Sequence, residues 1–176
     1  MVKSRLLGLG YRETDFAIDD FYKRFIALAD KKGSVFDDDL VALMESKGDG
    51  DLADRYALEY LNVSSGRGTV PTATARITVD GKLRQEAATG DGAVDAATKA
   101  IDRIVGYPIT IENYHLEAVT EGREAQGRVT ITGRAPEGLF IGTGMSTDIV
   151  EASALAYMDI VNKIARMKRF KKKLPK

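Results

Sequence analysis

Two loops of small residues contain the side chains and backbone groups of this chain that are best suited to hold a ligand. The first runs from Ala88 to Gly92 and the second from Gly142 to Asp148, each directly before a predicted helix. Glycines let a ligand approach the N–H groups of a helix start, where a carboxylate or phosphate finds several donors and a favourable dipole. Asp91 or Asp148 could hold an ammonium group there. In the alternative interpretation both loops only cap their helices, with Asp148 and Glu151 as a capping-box-like pair.

The chain offers little for catalysis or metal binding. It contains no Cys and one His, which excludes thiol chemistry, Cys-based zinc sites and His clusters. His115 falls within a predicted strand with no nucleophile turn beside it, so we expect a surface or packing role. Gly142-Thr143-Gly144 lacks both the parallel βαβ context of a dinucleotide fingerprint and the Gly-Lys-Ser/Thr ending of a P-loop. No catalytic set is predicted.

The elements that position these loops follow a helical segment over residues 1–50. Phe21, Phe25 and Leu28 recur at helical spacing, and Gly33 is predicted to end this helix. A second, shorter helix is predicted to begin at the acids Asp37 to Asp39. We expect these carboxylates to interact favourably with the helix dipole rather than to bind calcium. The polar stretch Gly48-Asp49-Gly50-Asp51 predicts the domain boundary.

From residue 51 onward the predicted elements occur twice in the same order. Alternation over Thr72 to Val79 indicates a half-buried strand, and Asp80-Gly81 predicts a hairpin turn into the next one. Short motifs return later in the chain: Tyr56-Ala57-Leu58-Glu59 as Tyr114-His115-Leu116-Glu117, Arg76-Ile77-Thr78-Val79 as Arg128-Val129-Thr130-Ile131, and Val94-Asp95-Ala96 as Val150-Glu151-Ala152. We therefore predict an α+β domain of two βββα units, 51–106 and 107–170, related by a pseudo-two-fold axis.

Charge and hydropathy restrict the partners of the chain. Its 26 basic and 26 acidic residues cancel, so no global field attracts nucleic acid or an anionic membrane. No stretch approaches the roughly 18 apolar residues of a membrane span, and the first residues lack a secretory signal, so a cytoplasmic protein is predicted. The stretch from Lys163 to the basic tail 171–176 is expected to be a solvated helix end. A remote alternative is an RNA-binding module that uses these cations on phosphates.

Three motifs carry a resemblance to a known family. They are Leu28-Ala29-Asp30-Lys31-Lys32-Gly33-x-Val35-Phe36-Asp37-x-Asp39-Leu40, then Ala88-Thr89-Gly90-Asp91-Gly92-Ala93-Val94-Asp95-Ala96, and Gly142-x-Gly144-x-Ser146-Thr147-Asp148-Ile149-Val150-Glu151-Ala152. Together they resemble the C-terminal part of the 2-isopropylmalate synthases over nearly the whole chain. The motifs are shared in part with citramalate and homocitrate synthases.

The resemblance implies a regulatory role. In that family an N-terminal barrel condenses acetyl-CoA with a 2-oxo acid using a divalent metal, and a C-terminal dimer of βββα units binds the end-product amino acid. Residues 1–50 would be the linker subdomain and 51–176 the allosteric domain, with the barrel upstream. We therefore expect a homodimer that binds leucine as feedback inhibitor at its interface, is not catalytic alone and needs no cofactor. An isoleucine effector, as in a citramalate synthase, or a homocitrate synthase domain stays open.

The resemblance also assigns an effector site, position by position. The N–H groups of Gly90 to Gly92 would take the effector carboxylate, and apolar residues would enclose its branched chain, whose burial contributes roughly 1.5 to 3 kcal/mol. Tyr114 would close the pocket, and the small Ala118 would leave depth for leucine. The full set is Gly90, Asp91, Gly92, Val94, Asp95, Ile111, Tyr114, Ala118 and Ala125.

Overall fold

The computed structural model describes residues 2–32, 35–45, 54–107, 109–118 and 125–173. Within them no helix is long and apolar enough to cross a membrane. Besides a short 3-10 turn at Glu13–Asp15, the elements are, in chain order, α1 (Val2–Gly8), α2 (Ile18–Lys32), α3 (Asp37–Glu45), β1 (Tyr56–Ser64), β2 (Thr72–Val79), β3 (Lys82–Thr89), α4 (Ala93–Val105), β4 (Thr110–Ala118), β5 (Gly127–Ala135), β6 (Gly138–Ser146) and α5 (Ile149–Lys173).

Helices α1 to α3 form the predicted helical segment, and α3 packs against α5 and β6. Arg5 of α1 donates two hydrogen bonds to Asp37 Oδ1, at 3.0 and 2.7 Å, which ties α1 to the start of α3. Asp39 Oδ2 accepts from the Phe36 N–H at 3.0 Å, as expected of acids that cap a helix. The predicted helix end at Gly33 and the predicted boundary at 48–51 lie outside the described residues.

Two three-stranded antiparallel sheets follow, in the orders β1-β2-β3 and β4-β5-β6. The hairpin turn predicted at Asp80-Gly81 is confirmed, since both residues have positive φ, 49° and 81°, as a type I′ turn requires. The predicted alternation in β2 is confirmed as well, because Ala73, Ala75 and Ile77 are fully buried. Each sheet is followed by one helix, so the α+β fold of two βββα units is confirmed.

The two helices cover their sheets differently. Helix α4 packs mainly on β2 and β3 and also contacts β1, whereas α5 packs on β5 and β6 of its own sheet and also reaches β1 and α4. Helix α5 can approach β6 closely because Gly142 and Gly144 have no side chain. A Cβ on Gly144 would lie 2.6 Å from the Ala156 nitrogen and closer still to the Ala152 carbonyl oxygen. These glycines, part of a predicted ligand loop, therefore serve helix-to-sheet packing.

The structure corrects the register of the repeat. A β-bulge follows Leu58 in β1 and Ile111 in β4. Leu61 lies three residues after Leu58, and Tyr114 lies three residues after Ile111. Leu61 and Tyr114 are therefore counterparts in the two units. The alignment of Tyr56 with Tyr114 is therefore wrong. Short alternating motifs match at several registers of a strand, and only the bulge fixes which one is used.

Candidate functional site

The predicted effector residues fall into two groups, which lie in different units. The first is at the β3–α4 connection (Gly90, Asp91, Gly92, Val94 and Asp95), and the second is on and after β4 (Ile111, Tyr114, Ala118 and Ala125). Among the described residues α4 and β4 do not pack extensively against each other. The fold of one chain therefore does not by itself join the two groups.

The β3–α4 connection is held by its own backbone and by one carboxylate. The Gly90 N–H donates to Pro71 O at 3.0 Å, and the Asp91 N–H donates to Asp95 Oδ2 at 2.8 Å. The expectation that all N–H groups from Gly90 to Gly92 face a ligand is therefore wrong for two of the three. They are already used because the loop turns tightly into the helix.

Donors remain at the start of α4 itself. Gly92 is the N-cap, and no side chain caps the helix from that position. The first helical hydrogen bond runs from the Ala96 N–H to Gly92 O at 2.9 Å. The N–H groups of Ala93 and Val94 precede it and have no acceptor within the helix. An anion would therefore bind at the first turn of α4, slightly beyond the glycine loop.

Asp95 organises this loop. Its Oδ2 also accepts from Lys99 Nζ at 2.8 Å. The Lys99 ammonium, followed by the Asp91 N–H, lowers the pKa of the Asp95 carboxyl. A Cβ on Gly90 would lie 2.7 Å from Asp95 Oδ2 and closer to the Ala96 nitrogen, so Gly90 must be small. The ionised Asp95 thus holds the loop, while the exposed Asp91 carboxylate is available to an ammonium group.

The bulge in β4 brings the second group onto one face. Ile111 and Tyr114 are three residues apart, a spacing that puts side chains on opposite faces of a regular strand. The bulge between Ile111 and Asn113 reverses this, and both residues pair with the helix-covered side of β5, at Gly133 and Ile131. Leu116 shares the face. Ile111, Tyr114 and Leu116 remain 38%, 39% and 42% exposed, which is high for large apolar residues beside a core.

Tyr114 is attached to the first turn of α5. Its hydroxyl lies 2.7 Å from Ser153 Oγ, and Ser153 Oγ donates to Ile149 O at 2.7 Å. Since a serine hydroxyl has one hydrogen, Tyr114 must be the donor in the first bond. The predicted pocket residue on β4 is therefore fixed to the beginning of α5.

The corresponding face of β1 is more buried than that of β4. Leu58, Leu61 and Val63 pack against the core. A cleft of about 460 Å³ separates β1 from the start of α5, where Asp148, Val150, Glu151 and Leu155 line it. The first strand of one unit thus faces the helix start of the other unit. The equivalent face of β4 has no such neighbour in the described part of the chain.

The loop before α5 is capped by its own acids. Asp148 Oδ1 accepts from the N–H groups of Val150 and Glu151, at 2.8 and 3.2 Å, as predicted. Glu151 Oε2 accepts from Ser146 Oγ at 2.8 Å instead of returning to the Asp148 N–H, which donates to Ser146 Oγ. The capping box is therefore only half formed. With a carboxylate on these donors, this helix start is less suited to an anion than that of α4.

The other candidate residues form no competing site. His115 pairs with Thr130 on the face of β4 that points away from the helices, in agreement with the surface role predicted for it. Three of the C-terminal cations have partners within the fold. Lys163 donates to Ile141 O, Arg166 to Asp54 Oδ1 and Lys168 pairs with Glu137. They are therefore engaged in holding α5, which leaves fewer cations for nucleic-acid phosphates.

Two functional positions were missed by sequence reasoning. Ser153 fixes Tyr114, and Asn162 binds the backbone of Tyr56 at the start of β1. Ser153 occurs in an alanine-rich helix, Ala152-Ser153-Ala154, where an isolated polar residue is a signal for a buried hydrogen bond. Asn162 gave a similar signal among Ile160, Val161 and Ile164, but its partner is far away in the sequence.

Comparisons with known proteins agree with this architecture. A family model described as the LeuA allosteric (dimerisation) domain matches residues 34–165. A 2-isopropylmalate synthase of Shewanella frigidimarina (strain NCIMB 400) is 48% identical over 169 residues, which cover 94% of this chain and 32% of that relative. Another, of Serratia proteamaculans (strain 568), is 42% identical over 171 residues, covering 97% and 33%. The chain spans about a third of the length of these curated relatives.

Proposed function

Because the chain belongs to the family of LeuA allosteric (dimerisation) domains, we propose that it is the leucine-sensing regulatory part of a 2-isopropylmalate synthase. The full protein would be a cytoplasmic acyltransferase of leucine biosynthesis. Its catalytic barrel, with the divalent metal and acetyl-CoA sites, would belong to the two thirds of the relatives that this chain does not span. The chain itself would bind leucine as feedback inhibitor and would not be catalytic.

The observation that carries this proposal is the uncovered face of β4. Its counterpart on β1 is partly buried and faces the helix start of the other unit across a cleft, whereas Ile111, Tyr114 and Leu116 are more than a third exposed. Under the predicted pseudo-two-fold relation, β4 corresponds to β1 and α4 corresponds to α5. The helix start that should face β4 is therefore that of α4. In a homodimer the partner chain supplies that helix start. The two groups of predicted site residues then meet across the interface.

The chemistry of the two groups suits a branched amino acid. The N–H groups of Ala93 and Val94 would bind the carboxylate at the positive end of α4, and Asp91 would bind the ammonium group. Val94, Ile111, Ala118 and Ala125 would surround the side chain, with Tyr114 over it. This arrangement would put the carboxylate at the first turn of α4, next to the Gly90 to Gly92 loop.

Calorimetric titration of the 176-residue chain with leucine, isoleucine, valine and lysine tests the proposal, with light scattering to measure the molar mass. We expect a dimer and a preference for leucine. Ligand at 100 times its dissociation constant should stabilise the fold by about 2.7 kcal/mol, which a thermal melt detects. An isoleucine preference would favour the citramalate synthase alternative. Absence of heat and of thermal shift with all four amino acids would refute the proposal.

A further inference from the structure

Helix α5 reaches both the candidate effector site and the helical segment. It contains 25 residues, about 37 Å at 1.5 Å per residue, and no Gly or Pro interrupts it. It contacts α3, α4, β1, β5 and β6. A stiff helix of this length carries a shift of its first turn to its far half, because it bends little in between.

The first turn of α5 is attached to the effector side. Ser153 accepts from Tyr114, which lies on the exposed face of β4. Gly142 brings the backbones of α5 and β6 together as Gly144 does, since a Cβ there would lie 2.8 Å from Ile160 Cγ1 and closer to Ala156 O. The helix therefore moves with the second sheet and with the residues on β4.

The far half of α5 is attached to β1, the first described strand after α3. Asn162 Nδ2 donates to Tyr56 O at 2.9 Å, and Asn162 Oδ1 accepts from the Tyr56 N–H at 3.0 Å. Asn162 and Tyr56 are only 5% and 4% exposed. The amide thus replaces a neighbouring strand at the edge of β1. The nearby Arg166–Asp54 pair contributes less, because Asp54 is 58% exposed and water screens such pairs.

We propose that Asn162 is the positioning residue through which α5 couples occupancy of the effector site to β1. Two hydrogen bonds to the N–H and the C=O of one residue fix both the distance and the direction between helix and strand, which a single apolar contact would not do. The inference rests on the proposed function, since it names the route by which a bound amino acid would act on β1.

Hydrogen exchange of the 176-residue chain with and without saturating leucine tests this inference. In the unsubstituted chain we expect leucine to slow exchange at least threefold in β4, α4, α3 and the first half of β1. In Asn162→Leu the effect should persist in β4 and in α4, which contacts α5 independently through Tyr157 and Asp102. It should also persist in α3, which packs on α5 directly, and it should fall below 1.5-fold in β1. Asn62→Leu, at an exposed position of the same strand, is the matched control and should behave as the unsubstituted chain.

Affinity separates the inference from the proposed function. Asn162→Leu should bind leucine within threefold of the unsubstituted chain, because Asn162 is remote from β4. If it does not fold, Asn162→Asp keeps the acceptor for the Tyr56 N–H and should show a partial loss of the effect. Retention of the full leucine effect in β1 by either variant overturns the inference. No heat and no slowed exchange anywhere in the unsubstituted chain overturns the proposed function and the coupling with it.

Discussion

Gly144→Ala is the substitution that tests the packing of α5 on β6 most directly. The added Cβ would meet the backbone at the Ala152 oxygen and the Ala156 nitrogen, not the mobile end of a side chain. Helix and strand would have to separate by about 1 Å, which forfeits a quarter to a half of each dispersion contact at this interface. Overpacking of this kind costs about 1 to 3 kcal/mol, and the upper part of that range applies because backbone cannot rotate away.

Replacing a strand glycine also has a favourable component. An alanine loses less conformational freedom on folding and gains roughly 0.5 to 1 kcal/mol over glycine in a strand. We therefore expect a net loss of about 2 kcal/mol in the free energy of unfolding. For a chain of this size that corresponds to a fall in Tm of about 4 to 8 °C.

Urea unfolding followed by circular dichroism measures this loss, with Gly127→Ala as control. Gly127 is also a strand glycine, but its nearest neighbour for a Cβ is the flexible end of Leu116, at 3.3 Å. The control should keep only the favourable component and gain roughly 0.5 to 1 kcal/mol. Equal stability of Gly144→Ala and Gly127→Ala would refute the close approach of α5 to β6.

Three further substitutions test the charges and the pocket. Burial raises the pKa of Asp102, which accepts a hydrogen bond from Tyr157, so the folded state binds its proton more tightly than the unfolded state. Stability should therefore fall as pH rises from about 4 through the raised pKa, and Asp102→Asn should abolish that fall in urea titrations. Asp95→Ala should cost about 1 kcal/mol at neutral pH by freeing the Asp91 N–H. Because its folded pKa is lowered, that cost should vanish when the pH falls below this pKa, as melts in acid would reveal. Ala118→Ile should shift the preference from leucine towards isoleucine by about 1 to 3 kcal/mol in calorimetry, and an unchanged preference would contradict the pocket assignment.

Local signals were reliable where neighbouring residues decide the conformation. Asp80-Gly81 predicted its hairpin because both residues adopt positive φ at low cost. Alternation of Ala73, Ala75 and Ile77 predicted the buried face of β2. The fold class followed from the repeated order of elements. The sequence did not predict the register of the repeat. Leu61 and Tyr114 are different residue types, and only the bulges identify them as counterparts.

The residues of the candidate site stay a prediction, and the sequence did not indicate their geometry. The set from Gly90 to Ala125 came from resemblance, and local pattern alone would have assigned Val94 and Ile111 to the core. Only the bulge puts Ile111 on the face of Tyr114, and only the turn into α4 engages the Asp91 N–H with Asp95. The glycine pair before α5 was misleading, because a glycine needed for helix packing and one needed for a ligand have the same local sequence.

The sequence by itself determined the elements, their duplication, the caps and the absence of thiol chemistry, because these depend on residue type and short-range spacing. The tertiary structure alone decided which surfaces meet. It brought α5 of the second unit to β1, left Ile111, Tyr114 and Leu116 of β4 exposed among the described residues, and brought Asn162 to Tyr56 across 106 positions of the chain. Such contacts depend on packing of distant segments, for which one sequence contains no local signal.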